Sequence, residues 1–495
     1  MNNQHKKAIV IGAGIAGLSA ASYLAKAGFK VTILEKNDSI GGRARQFKAN
    51  GFTFDMGPSW YWMPDVFEKF YNDFGKTTGD FYELIRLDPS YKVVWKNGEG
   101  IDIPADMPGI EALFERFEPG SSKKLQQFLK EAAYKYDVGI NDLVYKPSLS
   151  LFEFADFRLL NGLLKMDVLT SMKKHIRNFV THPFLIELLE FPILFLGALA
   201  SNTPALYSLM NYADMSLGTW YPKGGMFKFV EAFEQIALSQ GVAIKTNSNV
   251  LKINSTNGKA TSVETENETY EADVIIAAGD YNHIEQQVLN PKDRQYTPKY
   301  WDDRKLAPSC VLFYIGLNKP IDGLLHHNLF FDTDFNQHAD EIYTNIKWPE
   351  NPLFYASVTS KTDDTAAPAG HENLFLLVPI STELTDDSEE KREIYFDMMM
   401  DRLEKYTGQK IKEHVIYKRS FGINDFKSDY HSFKGNAYGL ANTLTQTAIL
   451  KPRIKSSKLS NLYYAGQLTV PGPGVPPSII SGKVAANLVI TENKF

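Results

Sequence analysis

Residues 8–28 read AIVIGAGIAGLSAASYLAKAG, and two structures compete for them. His5, Lys6 and Lys7 followed by an apolar run resemble a targeting segment or membrane anchor. The alternative is a strand, a glycine turn and a helix. Gly12, Gly14 and Gly17 fall at G-x-G-x-x-G spacing straight after AIVI, and Gly28 sits where the helix should stop. The spacing therefore predicts the opening of a βαβ unit. The first glycine permits a tight turn, the second lets backbone approach a pyrophosphate, and the third lets helix and sheet pack closely. The helix N-terminus adds free N–H groups and the positive end of its dipole.

The next strand, KVTILEK, ends at Glu35. A carboxylate there can accept hydrogen bonds from both hydroxyls of an adenosine ribose and works against a 2′-phosphate, hence against NADP. IGGRARQF (40–47) follows within a few residues, with Gly41 and Gly42 as a second close-approach turn and Arg43 as a charge-assisted fork. Taken alone this is an ordinary glycine turn; after the first motif it favours FAD over NAD.

The chain has 495 residues, enough for two or three structural units. Hydrophobic residues are 44% and charged residues 22%, ordinary for a globular protein, and the net charge of −5 argues against nucleic-acid binding. The 32 Phe and 25 Tyr point to a bulky core or a large apolar pocket. The single cysteine, Cys310, excludes an intramolecular disulfide and a cysteine-based metal site, and His175, His182, His283 and His338 show no metal-ligand spacing. Between Asp65 and Met215 the periodicity is helical, with Phe67, Phe70, Tyr71 and Phe74 on one face. FVTHPFLIELLEFPILFLGALA (179–200) reads as a buried helix broken by proline, or as the wall of a lipid-sized cavity. Strands return after residue 241, with an Asn257-Gly258 hairpin, the buried strand DVIIAA, and alternating runs between 310 and 380. Residues 388–406 read as a solvated surface helix. The strand NLYYAG precedes a stiff loop, TVPGPGVPP, and a last helix expected to begin near Ser478.

Four blocks in order, GGRARQFKANGFTFDMGPSWYWMPDVFEKF, GTWYPKGGMFKFVEAF, ADVIIAAGDYNHIEQQVL and NLYYAGQLTVPGPGVPPSIISGKVAANLV, resemble the carotenoid desaturases of the bacterial phytoene desaturase type, within the flavoprotein amine oxidase superfamily. The resemblance implies an α/β fold. A Rossmann-like FAD-binding domain would be assembled from residues 1–64, 219–300 and 455–495, with a largely helical substrate or membrane-associated region at 65–218 and a mixed α/β substrate domain at 301–454. It implies FAD contacts from Gly12, Gly14, Gly17, Glu35, Lys36, Gly42, Arg43, Gly57, Pro58, Ser59, Val250, Gly466, Gly474, Val475 and Pro476. It also implies a long isoprenoid substrate, hydride transfer from an allylic carbon, and a quinone or oxygen as terminal acceptor. Many members place a histidine between the threonine and proline of the last motif; here the residues are Thr469, Val470 and Pro471.

The expected reaction is desaturation of phytoene. Desaturation of a hydroxylated carotenoid end (3,4-desaturase type) is the alternative, with an amine oxidase or a non-enzymatic escort of prenylated proteins further off. Glu187, Glu190 and Asp214 are candidates for stabilising a cation, though each reads first as a solvent-facing or capping carboxylate. No run of 18 apolar residues suggests a spanning helix. A cytoplasmic protein attached peripherally to a membrane through residues 150–200, with Lys173, Lys174 and Arg177 facing head groups, is the expectation.

Overall fold

The computed structural model describes residues 6–150, 153, 170–197, 199–443 and 445–493. Strand Lys7–Ile11 lies inside a five-stranded parallel sheet, between Lys30–Leu34 on one side and Val274–Ala277 on the other. Ala243–Lys245 and Leu462–Tyr464 form the two edges, so three distant parts of the chain build one sheet. Strand order reverses at Lys7–Ile11, which opens a crevice at the carboxyl ends of the strands. The helix Ile15–Lys26 runs back across the sheet, and every residue from Ile15 to Leu24 is buried. This is why residues 8–28 look like an anchor: they are apolar because a sheet and another helix cover them.

That second helix is Val475–Glu492, which begins three residues earlier than the sequence suggests. Pro476 and Pro477 were read as loop residues. Both sit in its first turn, where a missing N–H costs nothing. The two helices approach so closely that a Cβ on Gly482 would stand 2.3 Å from the Ala16 carbonyl oxygen. Ser19 Oγ donates to the Ile479 carbonyl at 2.8 Å.

A seven-stranded sheet forms the second layer, in the order Val415–Phe421, Ser309–Leu317, Glu372–Ile380, Phe354–Ser357, His327–Phe331, Tyr91–Trp95 and Gly100–Ile103. The last two strands come from the stretch expected to be largely helical. Their alternation, YKVVW and GIDI, was outweighed there by the surrounding helical periodicity. One face of this sheet packs Val311, Phe313 and Ile315 against Tyr395, Phe396, Met399, Met400 and Leu403 of the helix Glu389–Thr407. That helix was expected to be a solvated surface helix; its outer face is charged, and the apolar stripe of Tyr395, Phe396, Met399, Met400 and Leu403 seats it on the sheet. Ser388 caps it and Gly408, at φ 67°, stops it.

In the helical region Phe70 stacks on Phe233 at 4.0 Å and Phe67 on Tyr61 at 4.2 Å, so this face is core. Pro183–Glu190 is helical with Phe184, Leu185, Leu188 and Leu189 buried, and a 3-10 turn runs from Phe191 to Leu196. Much of the expected membrane face, residues 151–152 and 154–169, lies outside the described residues.

Candidate cofactor and substrate cavity

At the carboxyl end of the parallel sheet the chain builds a cradle mostly from backbone. Gly12, at φ 98°, turns the strand into the helix, and a Cβ on Gly17 would stand 2.0 Å from its carbonyl oxygen. Gly14 is different: a Cβ there meets nothing within 4 Å, because the space in front of it is cavity. Gly42 folds over it, with room for a Cβ only 3.2 Å from the Gly14 Cα. Glu35 is buried and accepts from the Ala13 N–H at 2.7 Å and the Asn37 N–H at 2.9 Å. Its carboxylate thus stays fixed with lone pairs to spare.

Arg43 donates through Nη2 to Ser432 Oγ at 2.8 Å and to the Asn436 carbonyl at 3.1 Å, while its Nε is buried without a partner. A half-buried guanidinium with a buried, unspent Nε donor suits an anion such as a pyrophosphate. Asp280 accepts from the His283 and Phe433 N–H groups, both at 3.1 Å, and burial raises its carboxyl to about 6. His283 and His431 stack at 3.9 Å beside Lys36, Asn249 and Val250. Burial pushes each imidazole down to about 4, so both are neutral at pH 7. Sequence reasoning found no role for this pair. His431 sits at φ 51° just after the helix Ile423–Tyr430, far from any motif.

Two sequence blocks are stitched together beneath the cradle. Asp55 accepts from the Met226 and Phe227 N–H groups at 2.7 and 3.1 Å, capping the helix Phe227–Ser239, and from Gln46 Nε2 at 3.0 Å. Asp363 accepts from the Gly224 N–H at 2.6 Å and from Tyr221 at 3.1 Å. Most of the polar content of FDMG and WYPKGG is therefore scaffolding.

The cradle opens into a cavity of about 490 Å³ whose other half is apolar. Its wall is the second face of the seven-stranded sheet. Cys310, Leu312, Leu329, Phe331, Tyr355, Leu377 and Pro379 alternate with the residues that face the helix Glu389–Thr407. Trp60, Trp62, Phe191 and Met210 close it from the opposite side, and Phe335, Ala339 and Ile342 of the helix Phe335–Tyr343 extend it.

Of the sequence-predicted positions, Gly12, Gly14, Glu35, Lys36, Gly42, Arg43, Gly57, Pro58, Ser59, Val250, Gly466, Gly474, Val475 and Pro476 line this one cavity. Gly17 lies beneath it as a packing residue. The candidate carboxylates do not line it. Glu187 accepts from Trp95 Nε1 and pairs with Lys96, both at 2.7 Å, and Glu190 pairs with Arg177 at 2.6 Å. Asp214 is buried against the Tyr91 hydroxyl at 2.8 Å, and burial raises its carboxyl to about 7. Thr469, Val470 and Pro471 do not line the cavity. Thr469 donates to the Pro452 carbonyl at 2.6 Å.

A family profile described as flavin containing amine oxidoreductase matches residues 15–490. A carotenoid 3,4-desaturase of Haloarcula japonica is 39% identical over 485 residues, 98% of each chain. A zeta-carotene-forming phytoene desaturase of Myxococcus xanthus is 28% identical over 496 residues, 99% of this chain and 95% of that one. Among solved structures, cyclohexylamine oxidase from Brevibacterium oxydans superposes with a TM-score of 0.60 at 15% identity, over 98% of this chain and 99% of that one.

Proposed function

The chain belongs to the flavin-containing amine oxidoreductase family, as a carotenoid desaturase that uses FAD, and on that premise we propose that it introduces the 3,4 double bond near the end of an already conjugated carotenoid. The observation that carries this reading is the 39% identity to a carotenoid 3,4-desaturase along the whole chain, against 28% to a phytoene desaturase. It reverses the order of preference that the sequence blocks alone suggested.

The cradle fits FAD. Gly12, Gly14 and the first N–H groups of the helix Ile15–Lys26 would hold the pyrophosphate with Gly42 and Arg43, and Glu35 would hold the ribose hydroxyls. Lys36 and Val250 would frame the adenine, with the His283–His431 stack alongside. Gly57, Pro58, Ser59, Gly466, Gly474, Val475 and Pro476 would lie against the isoalloxazine, where Gly474 at φ 111° admits close backbone contact. The reading of residues 1–64, 219–300 and 455–495 as the FAD-binding unit is supported by the origin of the parallel strands. The seven-stranded sheet, drawn from 301–454 and from a hairpin within 65–218, serves the substrate.

Bound FAD supplies the two-electron acceptor for a hydride leaving an allylic carbon. Everything else falls to the chain. A carotenoid offers no charge to grip, so binding rests on burial, at about 25 cal/mol per Å² of apolar surface removed from water. The sheet face and the Trp60–Trp62–Phe191 wall exclude water and align the polyene. Access from a bilayer would run through residues 150–200, with exposed Lys173 and Lys174 toward anionic head groups; Arg177 is already held by Glu190. Among the described residues no helix is long and apolar enough to cross a membrane. A quinone or oxygen would reoxidise the cofactor.

The test is product identity. FAD-loaded protein is incubated with phytoene, lycopene or 1-hydroxylycopene in liposomes, and the carotenoids are separated by chromatography. A product two hydrogens short of lycopene or its hydroxy derivative, absorbing further to the red, is expected. Conversion of phytoene alone would return the reading to the phytoene type.

A further inference from the structure

Desaturation removes a proton as well as a hydride, and the apolar half of the cavity is poor in groups that could take one. Among the described residues the cavity's carboxylates, Glu35, Asp280 and Asp429, all lie at the nucleotide end, and each is engaged with backbone N–H groups or with Arg45. His338 reaches the cavity, but both ring nitrogens are spent, Nε2 on the Pro379 carbonyl and Nδ1 on the Leu353 N–H, each at 3.0 Å. The Cys310 thiol is buried, which pushes its ionisation up.

Tyr355 is different. It stands on the cavity face of the strand Phe354–Ser357, and its hydroxyl lies 2.6 Å from His327 Nδ1 on the neighbouring strand. Tyr355 and Ser59 line the same cavity, with Gly57, Pro58 and Ser59 at its cradle side. Behind it, His327 is fully buried, and its ring stacks on Trp60 at 4.1 Å and 11°. Its Nε2 has no hydrogen-bond partner. His326 stands edge-on to it at 4.4 Å and is itself occupied by Thr362 Oγ1 at 2.8 Å.

Given the desaturase reading, on which this step rests, we propose that Tyr355 accepts the substrate proton and passes its own hydroxyl proton to His327. The C–H electron pair becomes the new π bond as the neighbouring carbon gives its hydride to bound FAD. The proton arrives on the Tyr355 oxygen, the Tyr355 proton moves to Nδ1, and the resulting imidazolium is held against the Trp60 face by a cation–π contact. Burial beside His326 holds the His327 imidazole neutral at rest, and in the tautomer that carries its hydrogen on Nε2 the Nδ1 accepts from the Tyr355 hydroxyl. It is a weak base, and a weak base suffices: a C–H beside a carbon that is becoming cationic is strongly acidic. Tyr355 is the proton acceptor; His327 is a positioning residue that acts through it.

The experiment mixes FAD-loaded protein with carotenoid micelles without oxygen and follows flavin bleaching. Tyr355→Phe should slow bleaching by about 10²–10⁴-fold at unchanged flavin content. His327→Ala should slow it comparably and be partly rescued by added imidazole, which leaves Tyr355→Phe unmoved. Independently, the flavin-free protein labelled with ¹⁵N-histidine should show an Nδ1 resonance of a hydrogen-bond acceptor that Tyr355→Phe shifts. Tyr355→Phe bleaching within twofold of wild type overturns the proposal, and so does a slowed His327→Ala that ignores imidazole. Should His327→Ala lose its flavin, Tyr355→Phe and the nitrogen spectrum decide. If no carotenoid bleaches the wild-type flavin, the desaturase reading itself falls, and this step with it.

Discussion

The two ends of the cavity are built by opposite means. At the nucleotide end the chain offers backbone: Gly12, Gly14 and Gly42 with no side chain in the way, and free N–H groups at a helix start. At the other end it offers side chains from one face of a sheet, with Leu312, Leu329, Phe331 and Leu377 drawn from three strands far apart in sequence. A backbone cradle tolerates little, since one added Cβ fills it. An apolar wall tolerates much, since many side chains of similar volume exclude water equally well.

The largest effect should come from confusing the two kinds of glycine at the nucleotide end. Gly17→Leu drives a Cβ into the Gly12 carbonyl and should destabilise the fold by more than ~4 kcal/mol, read as loss of soluble protein or a collapse of Tm. Gly14→Val projects into open cavity, so the flavin-free Tm should hold while FAD affinity falls by about 100-fold or more, read by flavin titration. If Gly14→Val binds FAD normally, the cradle has been misplaced.

The opposite end should respond in the opposite way. Leu329→Trp fills the apolar chamber and should leave flavin content unchanged while cutting carotenoid turnover by roughly 10- to 100-fold. Loss of flavin in that variant would mean that the two ends are not separable.

The smallest effect concerns Lys451, buried beneath the loop that carries Gly472 and bonded at 2.8 Å to Asn442 Oδ1. Burial lowers its amine from 10.5 to about 7. Between those values the unfolded chain binds more protons than the folded one, so Lys451 makes stability rise with pH from about 7 to 10.5 and fall as pH is lowered through that window. Lys451→Met should remove that slope and raise Tm at pH 7, measured by thermal denaturation across the window. The proposed attachment to membranes is tested by liposome flotation at low salt, where Lys173→Glu with Lys174→Glu should weaken binding to anionic vesicles.

The same contrast explains what was legible in advance. The βαβ unit and the second glycine pair could be read because backbone recognition leaves glycines at fixed spacings, the discontinuous parallel sheet because strand signals stand at both ends of the chain, and positions such as Lys36, Ser59 and Val250 only through the resemblance of the sequence blocks. The start of the last helix was misread because Pro476 and Pro477 suit a loop and a first helical turn equally. The strands at 91–103 were swallowed by helical periodicity around them. Glu187, Glu190 and Asp214 drew attention as charges in apolar stretches, yet each is met by a partner from another element: Lys96, Arg177 and Tyr91 in turn. Tyr355, His327 and the His283–His431 stack carried no signal at all. Each is defined by a neighbour on another strand or loop, which one sequence does not reveal.

The central claim is that one cavity brings FAD and an apolar polyene into reach of each other. It is tested most directly by a single turnover without oxygen. With one equivalent of 1-hydroxylycopene or lycopene per flavin, the account predicts flavin bleaching in step with a red-shifted carotenoid, one new double bond for each flavin reduced. A flavin that stays oxidised while bound to its carotenoid would contradict it.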